Sequence, residues 1–226
     1  MYDFKSILST KAPKEQRGIK EIQPEDIGLH YSSATDYLDY VAGYDKDMMS
    51  AIDHIIERYR LGAVYETVDG HRGSVLPRID SKGRIMGGNV IHFDAHNGNV
   101  LKADNLTDHL YQWYCYDYYE DDDVFFGEHT LSFNPVAVVQ EERTALLGTL
   151  AGYPVDWLAV GYGRKLTKKM IDKLHDRQVV IFPDSSTDQE WEILYGSYVK
   201  VDKSFVEKDI DEYLISRIMK KGGDNE

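Results

Sequence analysis

Cysteine is nearly absent, with Cys115 the single one in 226 residues. No internal disulfide can form and no cysteine-rich zinc site can be assembled, which excludes a disulfide-stapled scaffold and a zinc ribbon within this sequence. Long apolar runs are missing too: none approaches the roughly 20 residues that span a bilayer. Met1-Tyr2-Asp3-Phe4-Lys5 lacks the apolar stretch of a signal peptide. These absences predict a cytoplasmic chain with no membrane partner. Positive charge is also scarce, since 26 Lys and Arg face 39 Asp and Glu, for a formal net charge of −13. Nucleic acid repels such a chain unless its Lys and Arg gather on one face.

What is present suits a globular fold: 42% hydrophobic and 29% charged residues are ordinary values, and the length suffices to bury a core. Tyrosine stands out, with 17 residues. Tyrosines can stack on bases, but their commoner place is a half-buried strand position or an interface.

The period of the apolar residues divides the chain. Residues 1–27 are polar, interrupted by Lys11, Pro13 and Pro24, and read as an arm or lead-in. Ser32 or Ser33 can cap a short helix carrying Tyr37, Leu38 and Val41 and ending near Gly43. Asp45 can cap a second, where Met48, Met49, Ile52, Ile55, Ile56 and Tyr59 recur at helical spacing. From about Gly62 to Lys102 the period becomes two, with turn chemistry at Asp80-Ser81-Lys82-Gly83 and His96-Asn97-Gly98-Asn99, which predicts an antiparallel meander. Residues 110–119 fit helix or strand alike, Cys115 reads as a buried thiol, and Glu120-Asp121-Asp122-Asp123 reads as an exposed loop.

Beyond about Phe133, apolar runs alternate with helical patterns. Strands are expected at Pro135-Val136-Ala137-Val138-Val139, Asp156-Trp157-Leu158-Ala159-Val160, Val179-Val180-Ile181-Phe182 and Ser197-Tyr198-Val199-Lys200-Val201. Helices are expected at 142–151, 167–175, around 189–194, and at 209–219. Such alternation implies βαβ units, with chemistry beyond the carboxyl ends of the strands. The predicted fold is an α+β N-terminal part over residues 28–132, with short helices plus the meander. An α/β domain with a four-stranded, mostly parallel sheet follows over 133–226.

Those strand ends carry Glu141, Glu142 and Asp184. Carboxylates gathered at a sheet edge are one way to hold Mg²⁺ beside phosphates, because a hard cation needs oxygen ligands. The plainer alternative makes Glu141 and Glu142 first-turn helix residues favoured by the macrodipole and Asp184 a loop cap. The clearest basic surface is Arg164, Lys165, Lys168, Lys169 and Lys173, read either as phosphate contacts or as a solvated face. His92 and His96 are spaced across a strand turn, which makes a poor zinc pair, and no Ser-His-Asp arrangement is legible.

Val138-Val139-Gln140-Glu141-Glu142-Arg143-Thr144-Ala145 resembles the first Toprim motif of primase-like proteins of Bacteroidetes mobile elements. Trp157-Leu158-Ala159-Val160-Gly161 is similar to their second strand and its glycine, and Val179-Val180-Ile181-Phe182-Pro183-Asp184 to the strand bearing the D-x-D motif. Lys208-Asp209-Ile210-Asp211-Glu212-Tyr213-Leu214 resembles an ending found in phage and plasmid primases. Upstream, Ile56-Glu57-Arg58-Tyr59-Arg60-Leu61-Gly62 and Val75-Leu76-Pro77-Arg78-Ile79-Asp80-Ser81-Lys82-Gly83-Arg84-Ile85 resemble the helix and hairpin of the bacterial primase core, and Phe126-Gly127-Glu128-His129 its link to the Toprim strand.

The resemblance implies a Toprim-like domain and Mg²⁺-dependent phosphodiester chemistry. It assigns Glu141, Glu142 and Asp184 to catalysis and Asp184 with Glu141 to the metal. It assigns phosphate contact to Arg78, Arg84, Arg143, Arg164, Lys165, Lys168 and Lys169. Two departures weaken the activity: Gln140 stands where the pattern has its first acidic residue, and Ser186 where it has the second aspartate of D-x-D. A glutamine carbonyl ligates Mg²⁺ weakly and cannot act as a general base. The expectation is a degenerate primase-like accessory protein that binds nucleic acid, single-stranded DNA first, or replication and mobilisation proteins. At most weak Mg²⁺ binding is expected, with no other cofactor. The alternatives are an active Mg²⁺-dependent nucleotidyltransferase or nuclease and a protein-interaction module.

Overall fold

The computed structural model describes residues 19–28 and 31–223. The expected arm therefore lies mostly outside the described residues. What is described of it is packed rather than free: Ile22 is buried and bridges Ile85, and the short helix α1 (Pro24–Ile27) buries Ile27.

Helices α2 (Ser33–Val41) and α3 (Lys46–Tyr59) form where their caps and apolar spacing predict. The Asp45 carboxylate accepts from the N–H groups of Asp47 and Met48, satisfying two donors that the first turn leaves open. Strands β1 (Gly62–Val68), β2 (His71–Ile79), β3 (Ile85–Phe93) and β4 (Val100–Asn105) pair in sequence order, all antiparallel. Asp69 and Gly70 both adopt positive φ, the backbone that a tight hairpin between β1 and β2 requires. Strand β3 is buried along its length because both faces of the sheet are covered. Leu76, Ile91 and Phe93 face α2 and α3, while Val75, Ile79, Ile85 and Val90 pack on Leu106 and Leu110 of α4 (Leu106–Tyr114).

Within the undecided stretch 110–119, residues up to Tyr114 continue α4, since Asn105 caps it and accepts from the Thr107 N–H at 2.7 Å. Cys115 ends that helix in left-handed conformation and is exposed, a correction to the buried thiol expected from its chemistry.

The second sheet is parallel throughout, in the order β6-β5-β7-β8, from β5 (Val136–Val139), β6 (Asp156–Ala159), β7 (Val179–Ile181) and β8 (Lys200–Val201). Its two faces carry different helices. Val136 and Val138 turn toward the apolar residues of α6 (Lys168–Asp172) and α7 (Asp188–Tyr195). Ala137 and Val139 turn toward α5 (Glu142–Leu150) and α8 (Ile210–Gly223). The α+β then α/β architecture expected from the period change is present.

One apolar cluster serves both sheets. It joins Tyr37, Leu38, Ile52, Ile55 and Tyr59 to Leu146, Leu147, Trp157, Leu214 and Ile218. Tyr59 shows how tightly: its ring stacks on Phe126 at 5.0 Å, and its hydroxyl meets Thr149 Oγ1 at 2.8 Å. Gly148 lets the Trp157 indole lie directly against α5, where an added Cβ would come within 2.3 Å of the ring. Gly148→Ala is therefore expected to destabilise the fold by about 1–3 kcal/mol, the cost of overpacking a filled core, read as a lower urea midpoint; an unchanged midpoint would show that the indole has room to move.

Candidate functional site

The carboxyl ends of β5 and β7 open into a cleft of about 320 Å³ lined by Gln140, Glu141, Arg143, Asp184, Asp209 and Asp211. Glu141 and Asp184 thus share one wall-to-wall site, as the strand-end argument predicts. Asp209 and Asp211 arrive from the start of α8. The sequence gives them no site role of their own; the one local signal is Asp211 as an acidic residue in the first turn of α8.

Asp184 is hydrogen-bonded within its own turn, Glu141 and Asp211 lie in ion-pair range of Arg143, and the buried Asp211 oxygens accept no hydrogen bond. Arg143 lies between these two acids, with Nε 2.8 Å from Asp211 Oδ2 and Nη2 3.5 Å from Glu141 Oε2, and it also donates to the Gly98 carbonyl. Burial raises the pKa of Glu141 and of Asp211, and Arg143 opposes that rise in both. For Arg143 itself, burial works against the charge, but Asp211 and Glu141 outweigh it and hold the guanidinium charged. Arg143 is therefore the internal counterion of the cleft that it lines.

Asp184 closes its own turn. Its Oδ1 accepts from the N–H and hydroxyl of Ser186 at 2.8 and 2.7 Å and from the N–H and hydroxyl of Thr187 at 3.0 Å each. The position read as a lost carboxylate, Ser186, thus donates to the carboxylate that remains. Gln140 inverts the polarity of its position: its amide Nε2 donates to the carbonyls of Gly161 and Arg164, both at 3.0 Å. A carboxylate there could donate to neither.

The remaining candidates stand elsewhere. Glu142 is buried and turned out of the cleft, with Oε1 accepting from Asn89 Nδ2 at 2.7 Å and Oε2 from the Tyr162 N–H at 2.9 Å. It ties β3 to the loop after β6, and burial raises its pKa against the pull of those hydrogen bonds and of Arg78. The Arg78 side chain is 1% exposed and paired with Glu120, so it offers no surface to a ligand in this state. Arg84 is pinned in the β2–β3 turn by Asp80, Nη2 to Oδ2 at 2.7 Å. Arg164, Lys165, Lys168 and Lys169 do share one region, the β6–α6 loop and α6, with Lys165, Lys168 and Lys169 exposed. Lys168 pairs with Asp172 at 2.9 Å.

A hard divalent cation would have to compete with these contacts: Gln140 presents an amide donor, Asp184 Oδ1 carries four hydrogen bonds, and Glu141 and Asp211 face an arginine. Among the described residues no group of three or more His, Cys, Asp or Glu side chains could hold a metal ion.

A family model described as a domain of unknown function (DUF6371) matches residues 35–185. Among solved structures, the chain is similar to the primase fragment of the bacteriophage T7 primase-helicase protein, at 18% identity over 75% of this chain and 70% of that one, with a TM-score of 0.47. It is also similar to the RNA polymerase domain of Mycobacterium tuberculosis primase DnaG, at 13% identity over 84% and 77% of the two chains, with a TM-score of 0.46. No curated protein matches the chain.

Glu142 gives the site its sharpest structural test. Glu142→Ala leaves the Asn89 amide and the Tyr162 N–H buried without an acceptor, at about 1–3 kcal/mol each. A loss of about 2–4 kcal/mol in denaturant unfolding is expected, whereas a change below 1 kcal/mol would mean that water replaces the carboxylate.

Proposed function

We propose that this chain, which belongs to the DUF6371 family of domains of unknown function, is a primase-like accessory protein of replication or mobilisation that binds nucleic acid with little or no metal-dependent catalysis. The carrying observation is the state of its acidic edge: Arg143 faces Glu141 and Asp211, and Asp184 Oδ1 is filled by Ser186 and Thr187. Acids engaged in this way must give up hydrogen bonds and an ion pair before they can ligate Mg²⁺. The collinear Toprim and primase-core motifs, including the Bacteroidetes mobile-element form of the first, support the ancestry. The exposed Lys165, Lys168 and Lys169 beside that edge support nucleic acid as partner, with single-stranded DNA the first candidate. In this reading residues 28–132 and 133–226 correspond to the two parts of a primase core.

Calorimetric titration tests the metal half. Mg²⁺ and Mn²⁺ are expected to bind no tighter than millimolar. Micromolar affinity that disappears in Asp184→Ala would favour the Mg²⁺-dependent nucleotidyl-transfer reading instead. Fluorescence anisotropy with labelled single-stranded DNA tests the partner half: binding that weakens steeply with added salt and in Lys165→Ala/Lys169→Ala is expected. No binding of DNA or RNA at tens of micromolar protein and low salt would leave a protein-interaction module as the better account.

A further inference from the structure

We propose that the acidic segment 120–123 is an intramolecular cover for part of the basic region: its carboxylates pair with Arg164 and Lys169, which would otherwise meet phosphates, and nucleic acid has to displace them. This rests on the nucleic-acid-binding reading and names how that site is regulated. A run of four acids is ordinarily a solvated loop, but here the members reach different cations in turn. Glu120 accepts from the buried Arg78. Asp122 accepts from Arg164 Nη1 at 2.8 Å, and its carbonyl from Arg164 Nη2. Asp123 accepts from Lys169 at 3.0 Å and from the Thr167 hydroxyl at 2.7 Å, and its carbonyl from Lys173 at 2.8 Å. Of the basic cluster legible in sequence, Arg164 and Lys169 are thus met by carboxylates of this segment, while Lys173 meets its Asp123 carbonyl and pairs with Glu128.

Glu120 and Asp123 tie down the two ends of the segment, and Asp122 between them is the open position. Glu120 is held from three sides, by Arg78, by Asn105 Nδ2 at 3.0 and 3.1 Å and by the Thr107 hydroxyl at 3.2 Å. The Asp122 side chain is 78% exposed, and that of Lys169 is 81% exposed. Ion pairs so open to water are individually weak, which makes the outer part displaceable while Glu120 stays as the hinge. Arg164 also retains unused capacity, since its Nε has no hydrogen-bond acceptor. A phosphate, with more acceptor oxygens than a carboxylate, can use that donor.

The experiment compares the full chain with Asp122→Asn/Asp123→Asn and with a charge-matched control, Asp47→Asn/Glu57→Gln, on the exposed surface of α3. The probe is a fluorescein-labelled oligothymidine of single-stranded DNA, followed by anisotropy at low and moderate salt. Asparagine keeps the side-chain oxygen that accepts from Thr167, so the turn is preserved; Asp122→Asn alone, at the most exposed position, serves if the double variant does not fold. The cover predicts binding about fivefold tighter for the double variant, the order expected for freeing two exposed ion pairs, and a change under about twofold for the control, whose charges lie outside the segment. Binding that appears only in the double variant supports the cover equally. Equal tightening in both variants makes net charge the cause and overturns the cover, as does unchanged affinity in the double variant while the unmodified chain binds; in both cases the nucleic-acid reading stands. Silence from every form overturns that reading together with the cover.

Discussion

Both sheets depend on one apolar cluster. The parallel sheet is small, with β5 and β6 at four residues and β8 at two, and the helices α2 and α3 have an apolar face that the meander alone does not bury. Packing Tyr59, Ile52 and Leu38 with Leu147, Trp157 and Leu214 gives both halves a common interior. Small units bury too small a fraction of their surface to be stable alone, and sharing a core relieves that limit. The cost is electrostatic. Pressing the loop after β6 against β3 carries Glu142, Arg78 and much of Arg164 inward, where an unpaired charge is far more expensive than at the surface.

Each of those groups is accordingly matched. Glu142 takes two N–H donors, Arg78 takes Glu120, and Arg164 takes Asp122. Arg58 reaches the fully buried Asp156 at 3.2 Å, and Ser132 supplies that carboxylate with further donors. The net charge of −13 therefore misdescribes the interior, where positive and negative groups are paired. The excess acidity is borne by exposed carboxylates.

The elements were legible because their causes are local. Capping by Asp45 and Thr167, the change of period at Gly62 and the short apolar run of β5 all act within a few residues. Glu141 and Asp184 were legible as neighbours because a parallel sheet brings its carboxyl ends together whatever the sequence between them. Which carboxylate faces which cation was not legible. Glu141 and Glu142 are adjacent, yet one looks into the cleft and the other into the core, a difference set by the phase at which α5 leaves β5. Residues 120–123 carry no local sign that Arg164 and Lys169, more than 40 residues later, will fold back onto them. Thiol chemistry favours burial, yet Cys115 is exposed because its position is decided by the turn that ends α4.

The contacts along the acidic edge depend on one another. At Gln140 the side chain donates to two backbone carbonyls that hold the 161–164 loop in place. A carboxylate at that position would face two carbonyl oxygens, repelling both unless a cation lay between them. Arg143 lies between the neighbouring Glu141 and Asp211, so a cation entering the cleft would compete with its guanidinium for both carboxylates. Ser186 adds to the same outcome by holding Asp184 inside its turn. An acid introduced at Gln140 or Ser186 would therefore work against these contacts, and the edge is held as a set of internal hydrogen bonds and ion pairs in a way that a bare cluster of carboxylates would not be.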